Sequence, residues 1–134
     1  MQNKVICSFD FDNTLSRKDV QNYALELITA GVDVWVVTSR YDDLHGHLWA
    51  PNATNAGLFS VTDNLNIPRH KVRFTNTQSK SIYLANTHVL WHLDDDPIEL
   101  LDMIENPRVF AKGINVENDQ WKEDCNKLLN NFKY

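Results

Sequence analysis

The stretch Val5-Ile6-Cys7-Ser8-Phe9-Asp10-Phe11-Asp12-Asn13-Thr14-Leu15 decides how this chain is read. Val5 to Phe9 is a short, largely apolar run that stops at acidic residues. Followed by helical spacing, such a run predicts a buried strand of a parallel sheet. Residues two apart on an extended chain point the same way, so Asp10 and Asp12 face one cavity at the strand's carboxyl end. Two like charges ~4 Å apart repel by roughly 4 kcal/mol at an effective dielectric near 20. Acids placed there need a reason.

The same pattern recurs downstream. Val20, Tyr23, Ala24, Leu27 and Ile28 follow helical spacing. Ser16 and Asp19 predict a capping box ahead of them, and Gly31 stands where a helix C-cap belongs. Val32 to Val37 is the second strand and ends at Thr38-Ser39-Arg40. Tyr41 to Ala56 reads as a loop or short helix. Leu58, Val61 and Leu65 predict a helix that ends before Pro68. Val72 to Phe74 is the third strand, and 79–85 a helix. Val89 to Leu93 is the fourth strand, closing on Asp94-Asp95-Asp96. Pro97 at the first helical position opens a helix through Met103 and Ile104. Val109 to Ala111 is the expected fifth strand, and Trp121, Cys125, Leu128, Leu129 and Phe132 mark a last helix. Alternating strands and helices predict an α/β fold with a parallel sheet of about five strands.

Composition narrows the function classes. The 134 residues suit one domain. No apolar run approaches the ~20 residues of a spanning helix, so no membrane partner is expected. The run to Phe9 is too short and too soon interrupted for a signal peptide. Cys7 and Cys125 form neither a disulfide framework nor a zinc pattern, so a reducing cytoplasm is the expected setting. The net charge of −5 argues against coating nucleic acid by bulk electrostatics. No obligate protein partner is evident.

Three predicted strands end in chemically capable residues: Asp10 with Asp12, Thr38, and Asp94 with Asp95. In an open parallel sheet, ligands bind at the carboxyl ends of strands. Several carboxylates gathered there call for a hard, oxygen-seeking cation, and magnesium is the usual one beside a phosphate. Asp19 and Asp63 read only as caps or loop residues.

Asp10-Phe11-Asp12-Asn13-Thr14-Leu15 resembles the first signature of the haloacid dehalogenase-like phosphohydrolases, Asp-x-Asp-x-Thr after a strand. Thr38 after Val34-Trp35-Val36-Val37 is similar to their second signature, Lys80 to the third, and His92-Leu93-Asp94-Asp95-Asp96-Pro97 to the fourth. The resemblance covers Val5 to about Ile104, with all four motifs in the family's order. It implies a Rossmann-like three-layer α/β/α sandwich with strand order 5-4-1-2-3. It also implies magnesium-dependent phosphoryl transfer through an aspartyl-phosphate. Asp10 would be the nucleophile and Asp12 the general acid and base. Thr38 and Lys80 would hold phosphoryl oxygens and steady Asp10. Magnesium would be bound by Asp10, the backbone carbonyl of Asp12, and Asp94 or Asp95, with Asp95 favoured and Asp96 an outer partner or cap. Lys71 and Lys112 compete with Lys80. Asn13 stands where many relatives have glycine, and asparagine tolerates such turns. Thr14, Ser39 and Arg40, beside these motifs, are the candidate substrate-binding residues. Arg17, Lys18 and Arg40 are either ordinary solvated charge or a patch for phosphate-bearing ligands.

The gaps between motifs leave no room for a large cap, the insert that selects substrates in this family. A nearly capless site suits a phosphorylated substrate with a body of its own. The pattern is similar to the 3′-phosphatase domains of polynucleotide kinase-phosphatases and to nucleotide monophosphatases. The expected substrate is therefore a nucleotide or a nucleic-acid 3′-phosphate end. Two other readings compete: a catalytically silent binding module of the same family, and a receiver-type signalling domain. In the latter the phosphorylated Asp closes the third strand, where this chain has none. His45, His47, His88 and His92 read as surface or loop histidines rather than a zinc site. Asn52-Ala53-Thr54 reads as a chance sequon, and Trp35 and Trp91 as core residues.

Overall fold

A computed structural model of the chain describes residues 4–132. Five parallel strands form one sheet: β1 (Ile6–Phe9), β2 (Asp33–Thr38), β3 (Val72–Phe74), β4 (Val89–Asp94) and β5 (Lys112–Asn115). Their order is β3-β2-β1-β4-β5, the expected order read from the opposite edge. The helices are α1 (Lys18–Thr29), α2 (Ala56–Asn64), α3 (Lys80–Leu84), α4 (Pro97–Glu105) and α5 (Trp121–Asn131). The side chains of α1, α2 and α5 pack with one face of the sheet, and those of α3 and α4 with the other. The result is the three-layer Rossmann-like arrangement. No described helix is long and apolar enough to cross a membrane.

The main core follows from the apolar strand runs. Cys7, Phe9, Val36, Trp91 and Leu93 are fully buried. Tyr23 of α1 stacks on Trp91 at 6.3 Å between ring centroids, and Phe9 meets the same indole edge-on at 5.3 Å. Burying such rings supplies much of the driving force for closing the layer. Trp35 differs from expectation: it is only half-buried, on the other face, with Arg73 and His70 against its ring. The short α3 leaves that part of the sheet thinly covered.

Helix ends obey local chemistry, with one correction. Gly31, at φ +92°, closes α1. Val32 N–H donates to Leu27 O at 2.9 Å and Gly31 N–H to Ile28 O at 3.0 Å, the paired bonds of a Schellman cap. The predicted capping box does not form. Arg17 is the N-cap of α1, Asp19 is engaged by the Arg17 guanidinium, and the Ser16 hydroxyl accepts the N–H of Asn13 instead.

The fifth strand is also corrected. It lies at Lys112–Asn115, not at Val109 to Ala111. Its register with β4 runs from Trp91↔Lys112 to Asp94↔Asn115, and Phe110 is largely exposed. The apolar triplet resembled a strand, whereas the real one is masked by glycine and lysine. Gly113 lets α4 approach: a Cβ there would lie 2.8 Å from Leu100 Cδ2, so the leucine side chain would have to shift.

Candidate active site

The carboxyl ends of β1 and β4 lie side by side, because Ser8 pairs with His92 and Phe9 with Leu93 in register. That pairing sets Asp10 beside Asp94. After Asp10 the chain turns sharply through Asn13, whose φ of +59° is the left-handed conformation asparagine accepts. Leu15 N–H donates back to Asp10 O at 3.1 Å and Ser16 N–H to Phe11 O at 2.9 Å, which locks the turn.

Lys80, at the start of α3, reaches across the sheet end. Its Nζ donates to Asp10 Oδ1 at 2.8 Å and to Asp94 Oδ2 at 2.7 Å, and Glu99 Oε2 lies 3.9 Å away. Thr14 Oγ1 donates to the other oxygen of Asp10 at 3.3 Å. Asp94 is heavily engaged: besides Lys80, its Oδ2 accepts His92 Nε2 at 2.8 Å, while its Oδ1 accepts only the N–H of Asp96 at 3.1 Å. His92 Nδ1 in turn lies 2.7 Å from Ser8 Oγ. An ionised carboxylate only accepts, so Nε2 carries the ring proton and Ser8 donates to Nδ1.

Burial pushes the Asp10 carboxyl up to about 8, the Asp94 charge adds to this, and Lys80 opposes it. Burial acts the same way on Asp94, but the hydrogen bond from His92 and the nearby Lys80 outweigh it and hold Asp94 below the usual carboxylate range. The His92 ring is itself kept neutral by burial, so its hold on Asp94 is the hydrogen bond rather than a charge. On Lys80 burial disfavours the ammonium, yet Asp10 and Asp94 together raise its pKa above the ordinary value. One ammonium thus serves several acids, and without a further cation burial keeps a proton on Asp10 near neutral pH.

Asp10, Asp94 and Asp95 each offer a carboxylate oxygen, all within 4.8 Å of one another. An all-oxygen, mostly buried donor set suits a hard divalent cation such as magnesium, whose charge would let Asp10 ionise. Asp96 is a cap: its Oδ1 accepts the Ile98 N–H of α4 at 2.9 Å. These groups open on a cleft of about 300 Å³ that Asp12, Asn13 and Ser39 also line.

Asp12 stands apart from the carboxylate cluster. The Arg40 guanidinium grips both its oxygens, at 2.7 and 2.8 Å, and also reaches Asn55 Oδ1 at 3.3 Å. Arg40 further lies over the Phe11 ring, 4.9 Å from its centroid. Thr38 is fully buried at the end of β2, where its hydroxyl accepts the Arg40 N–H at 3.3 Å. Among the described residues no hydrogen bond joins Thr38 to Asp10 or Lys80. Thr14 orients Asp10 rather than facing the cleft. Arg17 pairs with Asp19, and Lys18 is exposed. Of the lysines that competed with Lys80, Lys71 pairs with Asp33 where β2 begins, and Lys112 is exposed where β5 begins.

The reading of His92 as a surface or loop residue is overturned: it is fully buried and joins Ser8 to Asp94. The signal was available, since His92 and Asp94 are two apart on one strand, as are Ser8 and Asp10. His45 and His88 do lie in loops, His45 against Asp42. Glu99 had no sequence signal; α4 turns it under Lys80, where it accepts the Lys80 N–H at 3.3 Å. Asn55 was missed for the same reason, because only the folded loop brings it to Arg40. No protein-family model matches the chain, and neither the curated proteins nor the solved structures provide a match.

Proposed function

We propose that this protein is a magnesium-dependent phosphomonoesterase of the haloacid dehalogenase-like type, with Asp10 as nucleophile. The observation that carries the proposal is the grouping of Asp10, Asp94 and Asp95 around Lys80 at the ends of β1 and β4. Phosphate monoesters hydrolyse extremely slowly unaided, so the site must supply a large reduction of the barrier. Magnesium held by Asp10, Asp94 and Asp95 would offset the negative charge of the phosphoryl oxygens as the substrate binds.

The chain's own groups do the rest. Lys80 and Thr14 each occupy one oxygen of Asp10 and fix the carboxylate, which leaves a lone pair for attack on phosphorus. Asp12 lines the same cleft. With one of its oxygens freed from Arg40 and protonated, it donates that proton to the departing oxygen and then accepts one from the water that cleaves the aspartyl-phosphate. The Arg40 fork, which donates to both Asp12 oxygens, holds the carboxylate form that takes the water's proton.

A receiver-type domain is the weaker reading. Doubly wound sheets of that type run 2-1-3-4-5, whereas here β1 lies between β2 and β4. No Asp closes β3, which ends at Phe74 and is followed by a buried Thr75. A silent binding module would keep the same geometry without turnover. Hydrolysis of an aryl phosphate with added magnesium separates the two. In Asp12→Asn, a good leaving group should depart in a burst near one equivalent, after which turnover stalls. Mass spectrometry of acid-quenched protein should place the phosphoryl group on the peptide that contains Asp10. A linear time course with no phosphopeptide would instead assign attack to water.

A further inference from the structure

Beside the acidic cleft lies a second cavity, of about 390 Å³, within the range of ligand pockets. The two cavities share Asp12 and Ser39. The loop between β2 and α2 builds its far wall. That loop is braced from within, where Asn55 donates to Tyr41 O at 2.9 Å and to Asp43 Oδ1 at 2.8 Å, and from outside, where Asp42 N–H donates to Oδ1 of Asn76, beyond β3, at 3.0 Å. Gly46 packs so closely on Ala53 that a Cβ would lie 3.0 Å from its carbonyl oxygen. The cavity is therefore preformed.

Its lining is mostly carbon, from Tyr41, Trp49 and Ala53. Trp49 is 76 % exposed and makes no ring contact among the described residues. A large indole left on one wall of a cavity is a stacking platform for a flat ring. Beyond Asp12, Arg40 and Asn55, which are engaged with one another, the polar groups at hand are the hydroxyls of Ser39, Tyr41, Thr54 and Thr77, which suit the edge of a heterocycle. They are too few for a polyol. A second phosphate would find no free cation, because Arg40 is spent on Asp12 and Asn55, while Asp42 and Asp43 belong to the same loop.

We propose that this cavity receives the nucleoside part of a nucleoside monophosphate, with the base stacked on Trp49. The placing of the phosphate at Asp10 rests on the phosphomonoesterase reading; the stacking site does not. Asp12 lines both cavities, so it sits where the ester oxygen must cross from one to the other. The ester P–O bond breaks as the Asp10 oxygen bonds to phosphorus, and the departing oxygen takes the Asp12 proton. Water then releases inorganic phosphate and returns a proton to Asp12. One phosphate monoester and one water become a nucleoside and phosphate.

The test compares 3′- and 5′-adenosine monophosphate, glycerol 2-phosphate and a 3′-phosphorylated oligothymidylate, all with magnesium. The better mononucleotide should exceed glycerol 2-phosphate in kcat/KM by at least about tenfold. Trp49→Ala should cut that ratio by about tenfold or more, through KM, as expected for loss of one stacked base. Trp49→Phe should keep most of it. An unchanged ratio in Trp49→Ala overturns the proposal, as does a preference for glycerol 2-phosphate. Preference for the oligonucleotide overturns it in favour of a nucleic-acid end. Calorimetry with adenosine and its monophosphates decides the matter even without turnover. Binding abolished by Trp49→Ala then supports the stacking site while the phosphomonoesterase reading fails, and absence of binding overturns the stacking site.

Discussion

Arg40 holds Asp12 through two parallel hydrogen bonds, Nε to Oδ2 at 2.8 Å and an outer nitrogen to Oδ1 at 2.7 Å. The pair is half exposed, so it contributes little to stability. Its effect is on orientation: a planar fork fixes a carboxylate in a way that a point charge does not. Arg40 is in turn anchored by Asn55 and by the face of Phe11.

That geometry makes Arg40→Lys a sensitive change. The lysine keeps the charge and loses the fork. Turnover of an aryl phosphate should fall by about tenfold or more, while the thermal midpoint moves little. Wild-type kcat in Arg40→Lys would show that Asp12 needs no such clamp.

Lys80 answers to Asp10 and Asp94 at once. Lys80→Met leaves the buried Asp94 carboxylate without its cation, a loss of about 3–5 kcal/mol. Urea unfolding should register it. Magnesium should restore part of the stability, because a divalent ion among Asp10, Asp94 and Asp95 offsets the same charge. No gain from magnesium would argue that the cluster does not bind it.

The pH dependence of stability in chelator follows from Asp10. Its folded pKa lies near 8 against an ordinary 3.8. Between those values the folded protein keeps a proton that the unfolded chain has released. Asp10 therefore makes stability fall as pH rises through that window. Asp10→Asn should flatten this slope, raise the thermal midpoint at pH 8 and abolish turnover. Magnesium should stabilise wild type more at pH 8 than at pH 5, since binding requires the ionised form. A steeper slope in Asp10→Asn would contradict the assignment.

The polar thread beneath the site, Ser8 to His92 to Asp94, is fully buried. His92→Phe strands the Ser8 hydroxyl and one Asp94 hydrogen bond, at a cost of about 1–3 kcal/mol for each group left unpaired. Ser8→Ala should cost less, because it orphans only a ring nitrogen. Equal and negligible losses in denaturant melts would mean that water replaces these bonds.

Local chemistry along the chain marked most strands and helices and the acids of the candidate site, whereas the layer and strand order came only from the resemblance of the motifs. Apolar runs such as Val34 to Val37, closed by polar residues, marked the strands, and their alternation with helical spacing marked a parallel sheet. The acids after β1 and β4 stood out because they end buried strands. The positive φ at Asn13 and the Schellman cap at Gly31 were legible for the same reason, since each depends on only a few neighbouring residues. Other features belonged to the tertiary structure. Whether Lys80 or Lys71 reaches the acids depends on which end of the sheet each occupies. The spacing of His92 and Asp94 on one strand was legible, but the second partner of the ring, Ser8, came only from the β1–β4 register. Glu99, Asn55 and the clamp of Arg40 on Asp12 join residues from separate elements, and Gly113 became a strand residue through the approach of Leu100. Neighbours in sequence announce their conformation, but a partner across the fold leaves no local trace until packing brings it near.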